Sequence, residues 1–355
     1  MKQGIVLGLL GLTIALISCA PTATPPPETI APPTATTAPL TQNDDSKTAE
    51  PAATESSIEP NELTSDNEMT EVIDEPTGTS EPEATDEVAT NEAAVTENNL
   101  PIFDTHVHYS QNAWEAFPPG EIIGKLQQAN VPRALVSSSP DDGTRLLYEL
   151  DPDRIVPFLR PYHDEVTSSN WFEDDTILSY FRDRLETPIY QGIGEFHLHF
   201  DGNADAPIVR QTARLAVERG FYLHVHSNAQ AIRTIFGYEP EVKILWAHAG
   251  LSEPPQVVLE MMDEYQNLWA DISIREYQIA PAGKLDPVWE ALFLKHPDRI
   301  TIGSDTWIPS RWEQYQDIIE FDRGWLNQLP PDVAQQIAYG NAVRLFGAGP
   351  HQYLE

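Results

Sequence analysis

Basic residues are few in this chain: 21 Lys and Arg stand against 55 Asp and Glu, for a formal net charge of −34 over 355 residues. Holding a phosphate backbone takes a basic surface, so this balance argues against nucleic acid as a bulk partner. Cysteine is scarcer still. Cys19 is the only one, which rules out an internal disulfide and leaves the folded part to its core and any bound metal. Long apolar runs are missing too. The longest, from Gly4 to Ile17, falls short of the ~20 residues that span a bilayer comfortably. Residues 20–99 contain no Phe, Trp or Tyr, so nothing there can seed a core.

These gaps divide the chain in three. Residues 1–19 carry Lys2, then the apolar run, then Ser18 just before Cys19. That is the layout of a secretion signal. An ordinary cleaved signal with an incidental cysteine is the plainer alternative. Leu16-Ile17-Ser18-Cys19 resembles the lipobox of bacterial lipoproteins. That resemblance implies a lipid on Cys19, a membrane anchor and an extracytoplasmic location. Residues 20–99 are rich in Pro, Thr, Ser, Ala and Glu, with eighteen acidic residues against one Lys. Such a segment buries too little apolar surface to offset its ordering entropy, so a disordered linker is expected. A flexible coil of this length spans ~50 Å root-mean-square. It would hold a domain off a surface.

Residues 100–355 have the size of a single α/β barrel, with 37 acidic and 19 basic residues. Short apolar runs alternate with amphipathic or turn-rich stretches. Eight strands are predicted at 101–108, 132–138, 154–160, 190–197, 221–226, 242–248, 267–273 and 299–304. Helices are predicted near 119–129, 142–150, 173–185, 206–219, 228–236, 254–265 and 285–296, with two more near 311–328 and 331–346. Eightfold strand–helix alternation points to a (β/α)8 TIM barrel. A doubly wound open sheet is the alternative. No Gly-rich phosphate loop follows the first strand, which weakens it.

In such a barrel the reactive groups sit at the C-terminal ends of the strands. Strand one reads Pro101-Ile-Phe-Asp-Thr-His-Val-His-Tyr109, and residues two apart in a strand share a face, so His106 and His108 project together. Strand four reads Gly192-Ile-Gly-Glu-Phe-His-Leu-His199, with Glu195 and His197 on one face. Strand five ends Leu223-His-Val-His-Ser227, strand six Leu245-Trp-Ala-His-Ala249, and strand eight Gly303-Ser-Asp305. Histidines supply neutral nitrogen ligands, and carboxylates bind metal or take a proton. The set suits a hydrolytic site with one or two divalent metals. The alternatives are plain strand or structural roles for His106, His108, His248 and Asp305, a supporting hydrogen bond in a one-metal site for Glu195, near-surface loop positions for His197 and His199, and solvated salt bridges for Arg160 and Arg275. His224 lies a layer deeper than His226 and reads as a supporting group. Asp104 shares the face of His106 and reads likewise. Arg160 and Arg275, past strands three and seven, are candidates to clamp a substrate carboxylate or phosphate. His197 and His199 are candidate substrate contacts.

The same residues carry a resemblance. Asp104-Thr-His-Val-His108 is similar to the first-strand motif of the amidohydrolase superfamily. Trp246-Ala-His-Ala-Gly250 resembles its sixth-strand histidine, Ile302-Gly-Ser-Asp305 its eighth-strand aspartate, and Tyr339-Gly-Asn-Ala-Val-Arg-Leu-Phe346 its closing helix. The nearest branch is the amidohydrolase-related family, which also contains metal-dependent decarboxylases. Ile193-Gly-Glu195 and Val225-His-Ser227 resemble the TatD-type branch, whose strand-four glutamate bridges two metals. No lysine lies near Glu195, which argues against a carboxylated-lysine bridge. The resemblance implies that His106, His108 and Asp305 hold a first metal. His226 and His248 then hold or approach a second, with Glu195 between them. Asp305 becomes the general base toward a metal-activated water. Zn is the expected ion, with Mn, Fe or Co as alternatives. The expected activity is hydrolysis of an ester, lactone, amide or phosphoester in a small-molecule substrate. The alternatives are a decarboxylase and a non-catalytic surface binding protein.

Overall fold

The computed structural model describes residues 99–350, all of which fall in one compact unit. Cys19, the signal and the linker up to residue 98 lie outside the described residues. Eight parallel strands run in order around a barrel. They are β1 Phe103–Val107, β2 Arg133–Val136, β3 Ile155–Leu159, β4 Gly192–His197, β5 Tyr222–His226, β6 Lys243–Trp246, β7 Leu268–Asp271 and β8 Ile300–Thr301. The last strand is only two residues long. Closure continues past it, where the Thr105 amide donates to the Ile302 carbonyl at 2.8 Å. The strands are buried on both faces, which is why they read as continuous apolar runs.

Helices α1 Pro119–Gln128, α2 Asp142–Leu150, α3 Ile177–Arg184, α4 Pro207–Arg219, α5 Ala229–Tyr238, α6 Pro255–Glu264, α7 Glu276–Ile279 and α8 Pro287–Lys295 fill the connections. After β8 come α9 Pro309–Glu313, α10 Tyr315–Leu326, α11 Pro331–Gln335 and α12 Asn341–Phe346. Proline opens α1, α4, α6, α8, α9 and α11, where its missing N–H would be unpaired anyway. The Asp286 carboxylate caps α8 by accepting from the Val288 amide at 2.8 Å. The expected helix at 311–328 is two helices, and 331–346 contains a π-helical turn at Gln336–Gly340. No helix among the described residues is long and apolar enough to cross a membrane.

One end of the barrel is sealed by aromatic packing. Phe346 of α12 meets Phe103, Phe158 and Tyr222, from β1, β3 and β5, with ring centroids 6.1, 5.6 and 5.1 Å apart. Phe103 and Tyr222 are the first residues of their strands. The polar side chains are left to the other end.

Asp322 of α10 is buried. Burial, and then the neighbouring Glu276, push its carboxyl well above the usual range. A carboxyl raised in the fold takes up protons that the unfolded chain does not. Stability therefore falls as pH climbs from the unfolded value of ~3.9 through the folded one. Asp322→Asn keeps the acceptor for the Trp325 indole, 3.0 Å away, and removes the buried charge. The variant is expected to melt above the parent at pH 8, by about 2–4 °C per ~1 kcal/mol relieved, and to match it at pH 3. Thermal melts at both values check this. A lower melting temperature at pH 8 would show that the ionised form is the stabilising one.

Candidate metal and active site

His106 ends in the barrel with no exposure, and His108 follows directly on β1. Their Nε2 atoms stand 3.1 Å apart. Each Nδ1 is committed elsewhere. His106 Nδ1 faces the Asp271 carboxylate at 3.2 Å, and His108 Nδ1 faces the Ser137 carbonyl oxygen. Both partners are acceptors, so both Nδ1 atoms carry the hydrogen and both Nε2 atoms present lone pairs. Facing those lone pairs are two carboxylate oxygens. Glu195 Oε2 lies 3.6 and 3.2 Å from the two nitrogens, and Asp305 Oδ1 lies 3.5 and 3.2 Å away. Four acceptors thus converge, one of which, Glu195 Oε2, also accepts from Arg160 at 2.8 Å.

A cation resolves that arrangement. Ligand atoms 2.0–2.2 Å from a common ion stand ~3.3 Å apart in tetrahedral geometry, close to these separations. The residues therefore fit a divalent metal. Glu195 turns its other oxygen the opposite way. Oε1 lies 2.9 Å from His226 Nδ1 and 3.4 Å from His248 Nε2. His106, His108 and Glu195 form one group able to hold an ion, and Glu195, His226 and His248 form another.

The electrostatics agree. Burial would lower His106, but Asp271, Asp305 and Glu195 overcome it and hold the ring well above the usual histidine range. Burial opposes ionisation of Glu195, yet His197 and His106 hold it well below the usual carboxylate range. Asp305 is likewise held down against its burial by His106 and His108. The site favours positive charge at its centre and negative charge on its two carboxylates.

The backbone is shaped to bring these groups together. Gly194, with φ at 122°, sits where a Cβ would run into the His224 carbonyl oxygen. Only glycine lets β4 approach β5 this closely and present Glu195. A Cβ on Gly303 would meet the His106 Cβ at 2.7 Å. His248 and Asp305 both adopt positive φ, 56° and 48°. Such strain in non-glycine residues persists only where the surroundings impose it. Asp305 is pinned by its own amide, which donates to the His106 carbonyl at 2.6 Å. Strand six was expected to run to 248. It stops at Trp246, and Ala247–Gly250 forms a tight helical turn that carries His248.

Asp104 touches backbone instead of imidazole. It accepts from the His106 and Ser304 amides at 3.1 and 3.0 Å and from the Tyr315 hydroxyl at 2.8 Å, tying β1 to the loop after β8. His224 donates from Nε2 to Asp271 at 2.9 Å. Burial and the neighbouring His106 lower it to about 4, so it is neutral. Arg160 lies over Glu195, donating from Nε to its carbonyl at 3.0 Å and from an η-nitrogen to Oε2 at 2.8 Å.

Two expectations need correction. Arg275 is no substrate clamp. Its guanidinium is buried and donates to the backbone carbonyls of Ala249 and Glu253 and to Gln278, at 2.7–3.0 Å. It braces the turn that carries His248. His199, a candidate substrate contact with a near-surface loop position as the alternative, takes the loop position: it is exposed beyond the end of β4 at His197. Neither belongs to the walls of the cavity over the site, whose volume is about 840 Å³. Arg160, His197, Glu195, His226, His248 and Asp305 do line it.

Three participants escaped the sequence reading. Asp271, Ser273 and Tyr162 hold the histidines in place. Ser273 Oγ donates to Asp271 at 2.5 Å and accepts from His248 Nδ1 at 2.8 Å. For Asp271 a signal existed: it ends the seventh apolar run as Asp305 follows the eighth.

An eight-stranded barrel with histidines and carboxylates gathered at its C-terminal strand ends defines the site of a metal-dependent hydrolase or lyase. Residues 173–348 match the family model described as Amidohydrolase. The match spans just under half of the chain, and the protein is an enzyme. No curated protein matches the chain. Among solved structures, a probable 2-pyrone-4,6-dicarboxylic acid hydrolase from Acinetobacter baumannii is similar at 15% identity, with a TM-score of 0.48, covering 70% of this chain and 100% of that one. A 4-oxalomesaconate hydratase from Rhodopseudomonas palustris is similar at 16% identity and a TM-score of 0.48, covering 70% and 96%. A TatD homologue from Escherichia coli matches at 16% identity and a TM-score of 0.48, covering 70% and 98%.

Proposed function

We propose that this protein hydrolyses an ester, lactone, amide or phosphoester in a small-molecule substrate, with one or two divalent metal ions, and that lipid on Cys19 anchors it outside the cytoplasmic membrane. The observation that carries the hydrolase reading is the convergence of His106 Nε2, His108 Nε2, Glu195 Oε2 and Asp305 Oδ1 within 3.1–3.6 Å along the measured pairs. His106, His108, Glu195 and Asp305 would hold the first ion; His226 and His248 would hold a second against the other oxygen of Glu195. Such an ion supplies Lewis acidity and lowers the pKa of water to ~7. Asp305, kept ionised by His106 and His108, takes the proton of the attacking water on its carboxylate. It returns that proton to the leaving group as the scissile bond breaks. Zn is the proposed ion, with Mn, Fe and Co open to the same donors.

One observation favours a second reading. Arg160 lies in the cavity wall directly on Glu195. An arginine beside a single ion suits a decarboxylase, where it would hold the carboxylate of an aromatic or unsaturated acid. Metal content and product analysis of the purified protein separate the two: two equivalents support the hydrolase, and one equivalent with carbon dioxide released from a carboxylate substrate supports the decarboxylase.

Chelation at neutral pH is expected to abolish activity and leave the far-ultraviolet circular dichroism unchanged, and added Zn or Mn should restore turnover. A domain of this size buries enough surface to fold without a metal. Affinity should also fall in mild acid, because free imidazole titrates near ~6.5 and each ligand binds only when neutral. Full activity after verified metal removal would defeat the reading. For the anchor, Cys19→Ala should release the protein from the membrane fraction or leave its signal unprocessed. Unchanged attachment with normal processing would rule the lipid out.

A further inference from the structure

Tyr162, on the loop after β3, meets His197 twice. The His197 backbone N–H donates to the Tyr162 hydroxyl oxygen at 2.8 Å, and the same oxygen lies 2.8 Å from His197 Nδ1. The phenol has one hydrogen to place. The amide already donates into the oxygen, so the hydrogen goes to Nδ1. Were Nδ1 protonated instead, the oxygen would receive two donors and a buried phenol hydrogen would lose this acceptor. Nδ1 is thus the acceptor, and the neutral ring carries its hydrogen on Nε2.

That N–H is placed for use. His197 lines the cavity together with Glu195, His226 and Asp305. Its Nε2 lies 4.0 Å from Glu195 Oε1, beyond hydrogen-bond length. The ring is fixed by stacking on His226, with centroids 4.2 Å apart and planes 26° apart, and by the Trp171 indole, which donates to the His197 carbonyl at 2.8 Å. A donor rather than a lone pair faces the reaction space, which takes His197 out of the metal-ligand set despite its proximity.

We infer that His197 is the neutral donor that receives the substrate oxygen as negative charge develops on it, and that Tyr162 is the positioning residue that fixes its tautomer. The inference rests on the hydrolase reading. Attack by the oxygen of water forms the new bond to carbon and moves the carbonyl π pair onto the substrate oxygen. The Nε2–H hydrogen-bonds to that oxygen without giving up its proton. When the bond to the leaving group breaks, the pair returns and the hydrogen bond weakens. A donor already aimed at the developing charge needs no reorganisation, which is where such groups gain their effect.

Long-range proton–nitrogen correlation of the full chain, labelled with 15N-histidine, reads the tautomer of each ring, and His197→Gln assigns the His197 signals by their loss. The expected result is an Nε2–H pattern in the parent, shifting toward Nδ1–H in Tyr162→Phe. Methylphosphonate, a stable tetrahedral oxyanion, should move the His197 Nε2 signals of the parent. An Nδ1–H or doubly protonated ring in the parent overturns the assignment even if Tyr162→Phe fails to fold. No response at His197 to high millimolar methylphosphonate overturns its role as oxyanion donor. Metal content measured on the same samples keeps the two levels apart: absence of bound metal sinks the hydrolase reading, whereas the wrong tautomer sinks only the role of His197.

Discussion

Asp305→Asn is expected to cut turnover at least ~10²-fold, the lower range for removing general acid–base catalysis, while leaving the barrel folded. The fold should survive because the substitution respects each local constraint. Asn is nearly isosteric. Asp305 sits at φ 48°, and Asn is among the few residues that adopt this region readily. Its backbone amide still donates to His106. What changes is the chemistry of one atom pair. The carboxylate faces His108 and His106 at 3.2 and 3.5 Å and can take a proton; a carboxamide cannot. It also brings one negative charge fewer to the metal. The measurement is kcat/KM on a substrate that the parent turns over, such as 4-nitrophenyl acetate or a small lactone, with circular dichroism on the same protein. Near-parental activity would show that Asp305 is not the base.

The parallel strands were legible because burial on both faces leaves each as an uninterrupted apolar run, and the barrel because those runs alternate with helices eight times. His106, His108, Glu195, His226, His248 and Asp305 were legible as polar groups ending such runs, which is where a barrel puts its open end. What was not legible depends on contacts between distant segments. His248 looked like a strand residue, since nothing in Trp246-Ala-His-Ala249 announces a turn with two successive positive φ values. The carbonyls freed by that turn, at Ala249 and nearby, are what capture Arg275. An arginine seen only in sequence as a free cation past a strand gives no hint of such partners. For His199 the pattern gave no direction, because alternation holds only while the strand lasts and β4 stops two residues earlier. Asp271 was passed over because its neighbours are Trp269, Ala270 and Ile272, with no histidine beside it. Its histidines arrive from β1 and β5, 165 and 47 residues away in sequence.

That overlooked carboxylate carries the last expectation. Asp271→Asn should weaken metal binding by about 10–100-fold, the range seen when a group behind a ligand is lost, although Asp271 is assigned no place among the ligands. Its two oxygens are fully buried and face donors on every side: His106 Nδ1 at 3.2 Å, His224 Nε2 at 2.9 Å, Ser273 Oγ at 2.5 Å and the Ser273 amide at 3.1 Å. An amide turns one acceptor into a donor. If it faces His106, the ring keeps a hydrogen bond only by moving its proton to Nε2, and the lone pair needed by the ion is lost. If it faces Ser273, buried N–H and O–H groups lose their acceptor, at ~1–3 kcal/mol. The fold should therefore lose stability as well. Asp271 is held well below the usual carboxylate range, against burial, by His106 and His224. A group depressed in this way stabilises the fold above the unfolded value of ~3.9, and its contribution is lost as pH falls through the folded one. The difference between parent and variant should be full at pH 7 and shrink in strong acid. Metal affinity by competition with a chelator, and denaturant unfolding at pH 7 and pH 3, are the measurements. An unchanged affinity would mean that His106 keeps its lone pair on the ion without help from Asp271.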